Sequence, residues 1–222
     1  SDTATGSFGI GKFAPYSVSK LRTVFVSTAY EGPNGKIERL TQGKSILMSH
    51  DEKEVRRQGV GFWGLRERCQ PISGQPNETA VPDWILRGST EPQKNDIGTT
   101  LTILAFDELS DWEETLATSV AENFFGSIAA GALEVDINGK HLLSKESIQT
   151  FFNNEALLPL ISNHKNEPDH FIDCKNYLNC LLDDQGVIVE QTQSPVLGHC
   201  QLKILLGEGL PKKVAFLRNG MF

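Results

Sequence analysis

The sequence predicts an α+β protein, because short strands rich in β-branched and aromatic residues alternate with a few helical segments. Residues 21–30, LRTVFVSTAY, are strand formers, and the turn residues at 31–36 predict a hairpin with a second strand over residues 37–48. Residues 98–106, GTTLTILAF, predict a buried strand. A helix is predicted over residues 110–125, with Ser110 as its N-cap and Glu113 completing a capping box.

The remainder of the chain predicts a smaller α/β segment. Asn138-Gly139 is a two-residue hairpin signal between two apolar runs. A short helix follows Ser144, and HFIDCKNYLNCLL, residues 170–182, predicts another helix. Two strands are then expected on either side of a Gly/Pro turn at 207–211.

These elements predict two regions, residues 1–126 and residues 127–222, the second an incomplete domain because the chain stops in an apolar strand. Residues 50–97 form a long insertion rich in Gly and Pro, which contains Trp63 and Trp84. A loop of that length inside a domain is usually functional or mobile. The alternative is a strand-poor insertion held in place by the two tryptophans.

Net charge, the lack of long apolar runs and the cysteine spacing limit the kinds of partner that the sequence predicts. The net charge is −7, so nucleic-acid binding over the whole surface is not indicated, although a local basic patch stays open. There is no run of 18 apolar residues and no signal peptide, which favours a cytoplasmic location and no membrane partner. The four cysteines form no C-x-x-C pair, and we expect reduced thiols and no metal site.

A glycine-rich stretch, GSFGIGKF at residues 6–13, is the clearest chemical motif. It reads G-x-x-x-x-G-K, but a P-loop also needs a hydrophobic strand before the glycines and a Ser or Thr after the lysine. Here only SDTAT precedes Gly6, and Phe13 follows Lys12. A Rossmann turn fails for the same lack of a preceding strand.

Instead, the stretch and its continuation GSFGIGKFAPYSVSKLRTVFVSTAY resemble the second glycine box of the GHKL ATPases, in the chaperone-type version. This superfamily includes gyrase, the ninety-kilodalton heat-shock chaperone, histidine kinases and the MutL proteins. The later IGTTLTILAF is similar to the family's Gly-Thr strand, and the resemblance covers about residues 3–125. It implies a Bergerat-type α/β sandwich, with a mixed sheet that carries helices on one face.

The resemblance also implies a nucleotide site. Glycines allow the backbone to approach phosphate closely, a helix starting near Lys12 adds its positive end, and the Lys12 ammonium adds a charge. Thr99 or Thr100 matches the family position whose hydroxyl lies near the adenine. The alternative is that these glycines only allow tight packing. The implied nucleotide-binding residues are Gly6, Phe8, Gly9, Ile10, Gly11, Lys12, Phe13, Thr99 and Thr100.

Several residues that the family uses have no counterpart in this sequence. The catalytic Glu, the Mg²⁺-ligating Asn and the adenine-reading Asp of the family all precede the glycine box, where only SDTAT stands here. DINGK at 136–140 is a hairpin turn and not a substitute. We therefore expect the C-terminal half of an ATP-binding domain, inactive alone, with ATP and Mg bound through residues mostly outside this chain.

Two functions from different classes stay open. The first is part of an ATP-hydrolysing conformational switch, of the kind that acts in bacterial DNA transactions, chaperoning, signalling or phage defence. Its partners would be nucleotide and a protein partner or a second copy, and a lysine from the second region could reach the γ-phosphate. The second is a non-catalytic interaction module that uses the 50–97 insertion. By position alone, the candidates for the cation that the second region would send to the γ-phosphate are Lys203, Lys212, Lys213 and Arg218; the alternative is that they are solvated charges that flank the strands.

Overall fold

A computed structural model of the protein describes residues 11–73, 81–88, 94–163, 168–196, 198–218 and 220–222. The described fold is α+β, as the sequence predicts, and every strand pairing within these ranges is antiparallel. The chain divides into two compact units between Glu108 and Leu109. The boundary expected at 126/127 instead falls inside a helix whose apolar residues form the core of the second unit.

The first unit contains an antiparallel sheet in the strand order β5-β2-β1-β7, with β6 also paired to β2. The hairpin expected from residues 21–48 is present. A single helical turn, α1 (Ala14–Ser17), precedes it. The strands are β1 (Thr23–Glu31), β2 (Ile37–Ile46), β3 (His50–Glu52), β4 (Val55–Arg57), β5 (Val60–Trp63), β6 (Ile72–Ser73) and β7 (Gly98–Ile103).

Residues 50–73, the first part of the insertion, contain more strand than the sequence suggests. They form a small hairpin, β3-β4, and two strands, β5 and β6, that extend the main sheet beyond β2. Trp63 lies at the end of β5, where its ring packs edge-on against Phe25 with the ring centroids 5.4 Å apart. Trp84, in contrast, is 64% exposed. Trp63 therefore helps to attach the insertion to the sheet, whereas the Trp84 ring is mostly in contact with solvent.

The sheet of the first unit has two different faces, because side chains alternate along each strand. The covered face carries Phe25, Ser27, Arg39 and Thr41, and residues 81–88 pack against it through buried Val81, Ile85 and Leu86. The open face carries residues of the opposite parity and is largely exposed. The exposed apolar residues of the open face are Val26, Tyr30, Phe62 and Leu101.

The second unit is built around one long helix, α2 (Trp112–Ala129), whose inward side is fully buried at Ala117, Ala121 and Phe125. Asp111, in a left-handed conformation, occupies the cap position, and not Ser110. The expected capping box is wrong, because the Glu113 carboxylate accepts hydrogen bonds from Asn138 and Lys140 of the adjacent hairpin.

Short elements surround α2. The hairpin β8-β9 turns at Asn138 and Gly139, both with positive φ as a type I′ turn requires, so this prediction is confirmed. Of the two strands expected around 207–211, only the first forms, and its partner precedes it in the chain. The elements are β8 (Val135–Ile137), β9 (His141–Leu143), α3 (Ile148–Phe152), α4 (Leu158–Asn163), α5 (Pro168–Leu182), β10 (Val187–Ser194) and β11 (Gly198–Leu205).

One acidic side chain lies in the core between α2 and α5. Glu122 is 4% exposed, and its Oε1 atom accepts no hydrogen bond from the described residues. Burial raises the pKa of the Glu122 carboxyl, and nearby His170 opposes this in part. The Cys174 thiol is completely buried beside it, and burial raises the pKa of this thiol to about 12, which makes it a poor nucleophile.

We expect Glu122 to make the second unit less stable as the pH rises. Its folded-state pKa lies above the unfolded value of about 4.3, so folding favours the protonated form. This contribution to stability is complete below about pH 4.3 and is lost as the pH rises through the folded pKa. Glu122→Gln should remove this loss. Amide hydrogen exchange in α2 between pH 4 and pH 7 would measure it.

Glu155→Gln, at an exposed carboxylate of the same unit, is the matched control for this measurement. We expect that variant to keep the pH dependence of the unchanged chain. An identical pH profile for Glu122→Gln and Glu155→Gln would contradict the assignment of the effect to the buried carboxyl.

Candidate nucleotide site

The Gly-Thr strand β7 places its two threonines on opposite faces of the sheet. Thr99 lies opposite Thr28 of β1 and is exposed on the open face. Thr100 lies opposite Ser27 and points to the covered face, where residues 81–88 pack. The sequence left both threonines as candidates, and only Thr99 presents its hydroxyl on the open face.

A pair of hydroxyl groups marks the start of β7. The Thr28 hydroxyl donates to the carbonyl oxygen of Gly98 at 3.1 Å, and the Oγ1 atoms of Thr28 and Thr99 are 3.0 Å apart. Because Thr28 has one hydroxyl proton and gives it to Gly98, Thr99 is the donor within the pair. The free lone pairs of the Thr99 oxygen are then available to a hydrogen-bond donor on the open face.

Gly98 has a structural reason to be glycine. Its φ of +142° is a conformation that residues with a side chain rarely adopt. A Cβ atom at this position would also lie 3.2 Å from the Arg87 guanidinium on the covered face. Gly98 therefore meets two requirements at the start of β7: a positive φ and enough room for the Arg87 guanidinium.

The described part of the glycine box is a 3-10 turn, Gly11–Phe13, that runs into α1. Lys12 and Phe13 are both exposed, and the Lys12 ammonium lies 5.1 Å from the centre of the Phe13 ring. The helix expected to start near Lys12 is only the four-residue α1, so its positive end contributes little to anion binding. The other residues predicted for the box, Gly6, Phe8, Gly9 and Ile10, lie outside the described residues.

The chain segment that follows the glycine box is tied to the far end of β7. The Ser19 hydroxyl donates to the carbonyl oxygen of Leu104 at 2.6 Å, and the Lys20 amide donates to that of Ala105 at 2.9 Å. Thr99 and Ile103 are separated by four residues of strand, or about 13 Å. Residues 19–20 and the Thr99 hydroxyl therefore lie at opposite ends of β7.

Two of the four cations predicted for the second region, Lys203 and Lys213, have partners within their own unit. The Lys203 ammonium donates to the carbonyl oxygen of Leu181 at 2.7 Å and lies 3.2 Å from an Asp184 carboxylate oxygen. Lys213 pairs with Asp173, whose hydrogen bond raises the pKa of the lysine. Neither Lys203 nor Lys213 thus presents an unpaired charge to a phosphate.

A cavity of about 490 Å³ lies within the second unit, between α5, β11 and residues 210–217. Its lining is mainly apolar, with Asn176, Gln201, Lys203 and Lys213 as its most polar members. Of the residues predicted to bind nucleotide that the structure describes, none lines it.

Sequence reasoning missed a buried polar network on the covered face. Arg39, Arg87 and Asp96 meet there, and the Arg39 side chain is completely buried. No spacing rule could have found it, because the three residues come from different parts of the chain and meet only through the fold.

No protein-family model, curated protein or solved structure matches the chain in three comparisons. No helix among the described residues is both long and apolar enough to cross a membrane. The same residues contain no cluster of three or more His, Cys, Asp and Glu side chains that could hold a metal ion.

Proposed function

We propose that this chain contributes the glycine-rich lid and the Gly-Thr strand to an ATP-binding, ATP-hydrolysing conformational switch of the GHKL type. The observation that carries the proposal is the exposed Thr99 hydroxyl on the open face of the sheet, at the end of β7 opposite the one to which Ser19 is hydrogen-bonded. Chain order supports it, since β1, the strand after the box, pairs directly with β7. In the proposed site Thr99 contacts the base, and Lys12 contacts phosphate.

The proposed chemistry is incomplete without further residues. The described residues contain no cluster of three or more His, Cys, Asp and Glu side chains that could serve as Mg²⁺ ligands. In the family these groups belong to a helix before the glycine box. Hydrolysis by the switch would therefore need that helix, and this chain alone is expected to bind nucleotide weakly and not to turn it over.

Calorimetric titration of Mg-ADP and a non-hydrolysable ATP analogue tests the proposal. The titrations use this chain and the same chain extended upstream by about 150 residues, a typical domain length. We expect Lys12→Ala to weaken ADP binding about tenfold or more, because it removes a charge-assisted hydrogen bond to phosphate. Thr99→Val should weaken binding as well.

Lys20→Ala is the matched control, because Lys20 is an exposed lysine close to α1 that pairs with Asp107. It should leave ADP affinity unchanged. If both chains fold and neither binds nucleotide, or if Lys12→Ala and Thr99→Val have no effect, the nucleotide site is excluded.

A second candidate function is an interaction module centred on Trp84. Its indole is 64% exposed, while the next residue, Ile85, is 3% exposed and fixes the turn to the sheet. An exposed tryptophan on an anchored turn is typical of a binding hot spot. Trp63 does not belong to this surface, because it packs on Phe25. This function is favoured if nucleotide binding is absent and Trp84→Ala abolishes capture of a partner.

A further inference from the structure

Residues 81–88 are attached to the covered face of the sheet, and Arg87 lies beside Gly98, where β7 begins. Val81, Ile85 and Leu86 are buried and pack against Phe25 and Trp63. Asp96 precedes Gly98 by two residues and Thr99 by three. Residues 94–97, the end of the insertion, thus connect directly to β7, the strand proposed to contact the base.

Arg39 connects this segment to the middle of the sheet. Its side chain is completely buried, its Nε donates to the Arg87 carbonyl oxygen at 2.7 Å, and its guanidinium lies 3.5 Å from an Asp96 carboxylate oxygen. Arg39 faces Ala29 across β1 and β2, and Ala29 faces Gly98 across β1 and β7. Arg39, Ala29 and Gly98 therefore lie side by side on three neighbouring strands.

Arg87 makes the direct connection to the residues beside the two threonines. Its amide donates to the Ser27 hydroxyl at 2.9 Å, and Ser27, which precedes Thr28, is completely buried. Its side-chain Nε donates to the Asp96 carbonyl oxygen at 3.0 Å. Its guanidinium covers Gly98, which precedes Thr99. Arg87 thus contacts the Ser27 hydroxyl and lies beside Gly98, the residues that precede Thr28 and Thr99.

We propose that Arg87 and Arg39 are positioning residues that set the orientation of Thr99 from the opposite face of the sheet. This inference rests on the proposed nucleotide-binding function and adds a determinant of base selectivity to it. Residues 81–88 then act as a strut. A change in the strut alters how the open face discriminates between bases, although no residue of the strut lies on that face.

A purely structural role for Arg87 makes a different prediction. If the arginine only stabilises the fold, its loss weakens every nucleotide to the same extent. If it orients Thr99, its loss reduces discrimination at position 6 of the purine, where adenine carries an amino donor and hypoxanthine a carbonyl acceptor. The informative quantity is therefore the ratio of Kd for Mg-IDP to Kd for Mg-ADP.

The test measures this ratio for the chain, and for its upstream-extended form, with Arg87→Met and with Ser27→Ala. Methionine keeps an unbranched stem over Gly98 and removes the donor to Asp96, while alanine removes the acceptor for the Arg87 amide. Each variant should lower the preference for ADP about fivefold or more. Ser27→Ala decides the result if Arg87→Met does not fold. Arg57→Met, which removes an exposed pair with Glu52, is the control and should leave the ratio unchanged.

Each outcome separates this inference from the proposed function. The positioning role alone is overturned if the unchanged chain binds ADP but shows no preference for ADP over IDP. It is also overturned if the variants lose affinity for ADP and IDP equally, so that the ratio of the two Kd values is unchanged. Absence of ADP binding in both forms of the unchanged chain overturns the proposed function and this inference with it.

Discussion

Asp96→Asn is expected to lower the free energy of unfolding of the first unit by about 3 kcal/mol, because it removes a charged partner of a buried guanidinium. The Arg39 side chain is 0% exposed and that of Asp96 is 17% exposed, so solvent screens this pair only weakly. Asparagine has the same size as aspartate, so the change tests charge and not packing. Amide hydrogen exchange resolves the two units separately and would measure the loss in β1 and β7.

Asp107→Asn is the matched control for this prediction. Asp107 pairs with Lys20 at 2.9 Å, which is closer than the Arg39–Asp96 pair, but the two side chains are 47% and 62% exposed. A solvated pair contributes less than about 1 kcal/mol, so we expect a small effect. Equal losses in the two variants would mean that burial does not determine the strength of the Arg39–Asp96 pair.

Local sequence signals predicted the elements that depend on neighbouring residues. The Asn138-Gly139 turn formed because both residues tolerate positive φ, and β1 and β2 formed on either side of a Gly/Pro/Asn turn. The longest helix was predicted within a few residues of its observed bounds, although its cap was not. Its cap differs because Glu113 found partners on a hairpin that lies more than twenty residues away in sequence.

Elements that depend on distant partners could not be predicted in the same way. The strands of the insertion form because β2 has a free edge for β5 and β6, and no local pattern indicates such an edge. β10 was missed because its residues, VIVEQTQS, are mostly exposed and lack a clear apolar alternation. The strand pairs with β11 through its backbone, which the sequence does not reveal.

The candidate site shows the same division between local and long-range information. The sequence singled out Gly98, Thr99 and Thr100 as a motif, but it could not choose between the threonines. A slip of one residue in register moves every side chain of a strand to the other face, so the choice needs the pairing of β7 with β1. The contacts of Arg39 and Arg87 beneath this motif could not be predicted either, because they also depend on strand pairing and on long-range packing.

Phe125→Ala is expected to lower the free energy of unfolding of the second unit by about 3 to 5 kcal/mol, the usual range for a fully buried phenylalanine. Phe125 is 0% exposed on the inward side of α2, and its ring lies 5.9 Å from that of Phe222. The cavity cannot close easily, because Gly126 beside it is already in tight contact with the backbone of Gly220. Urea unfolding followed by amide exchange in α2 and α5 would measure the loss.

Leu116→Ala on the same helix is the control, because Leu116 is 46% exposed and leaves no cavity when it is shortened. We expect that change to cost less than about 1 kcal/mol. If Phe125→Ala also lowered the stability of β1 and β7, the two units would unfold together and the boundary at Glu108 would not separate cooperative units. An effect confined to the second unit supports two independent cores.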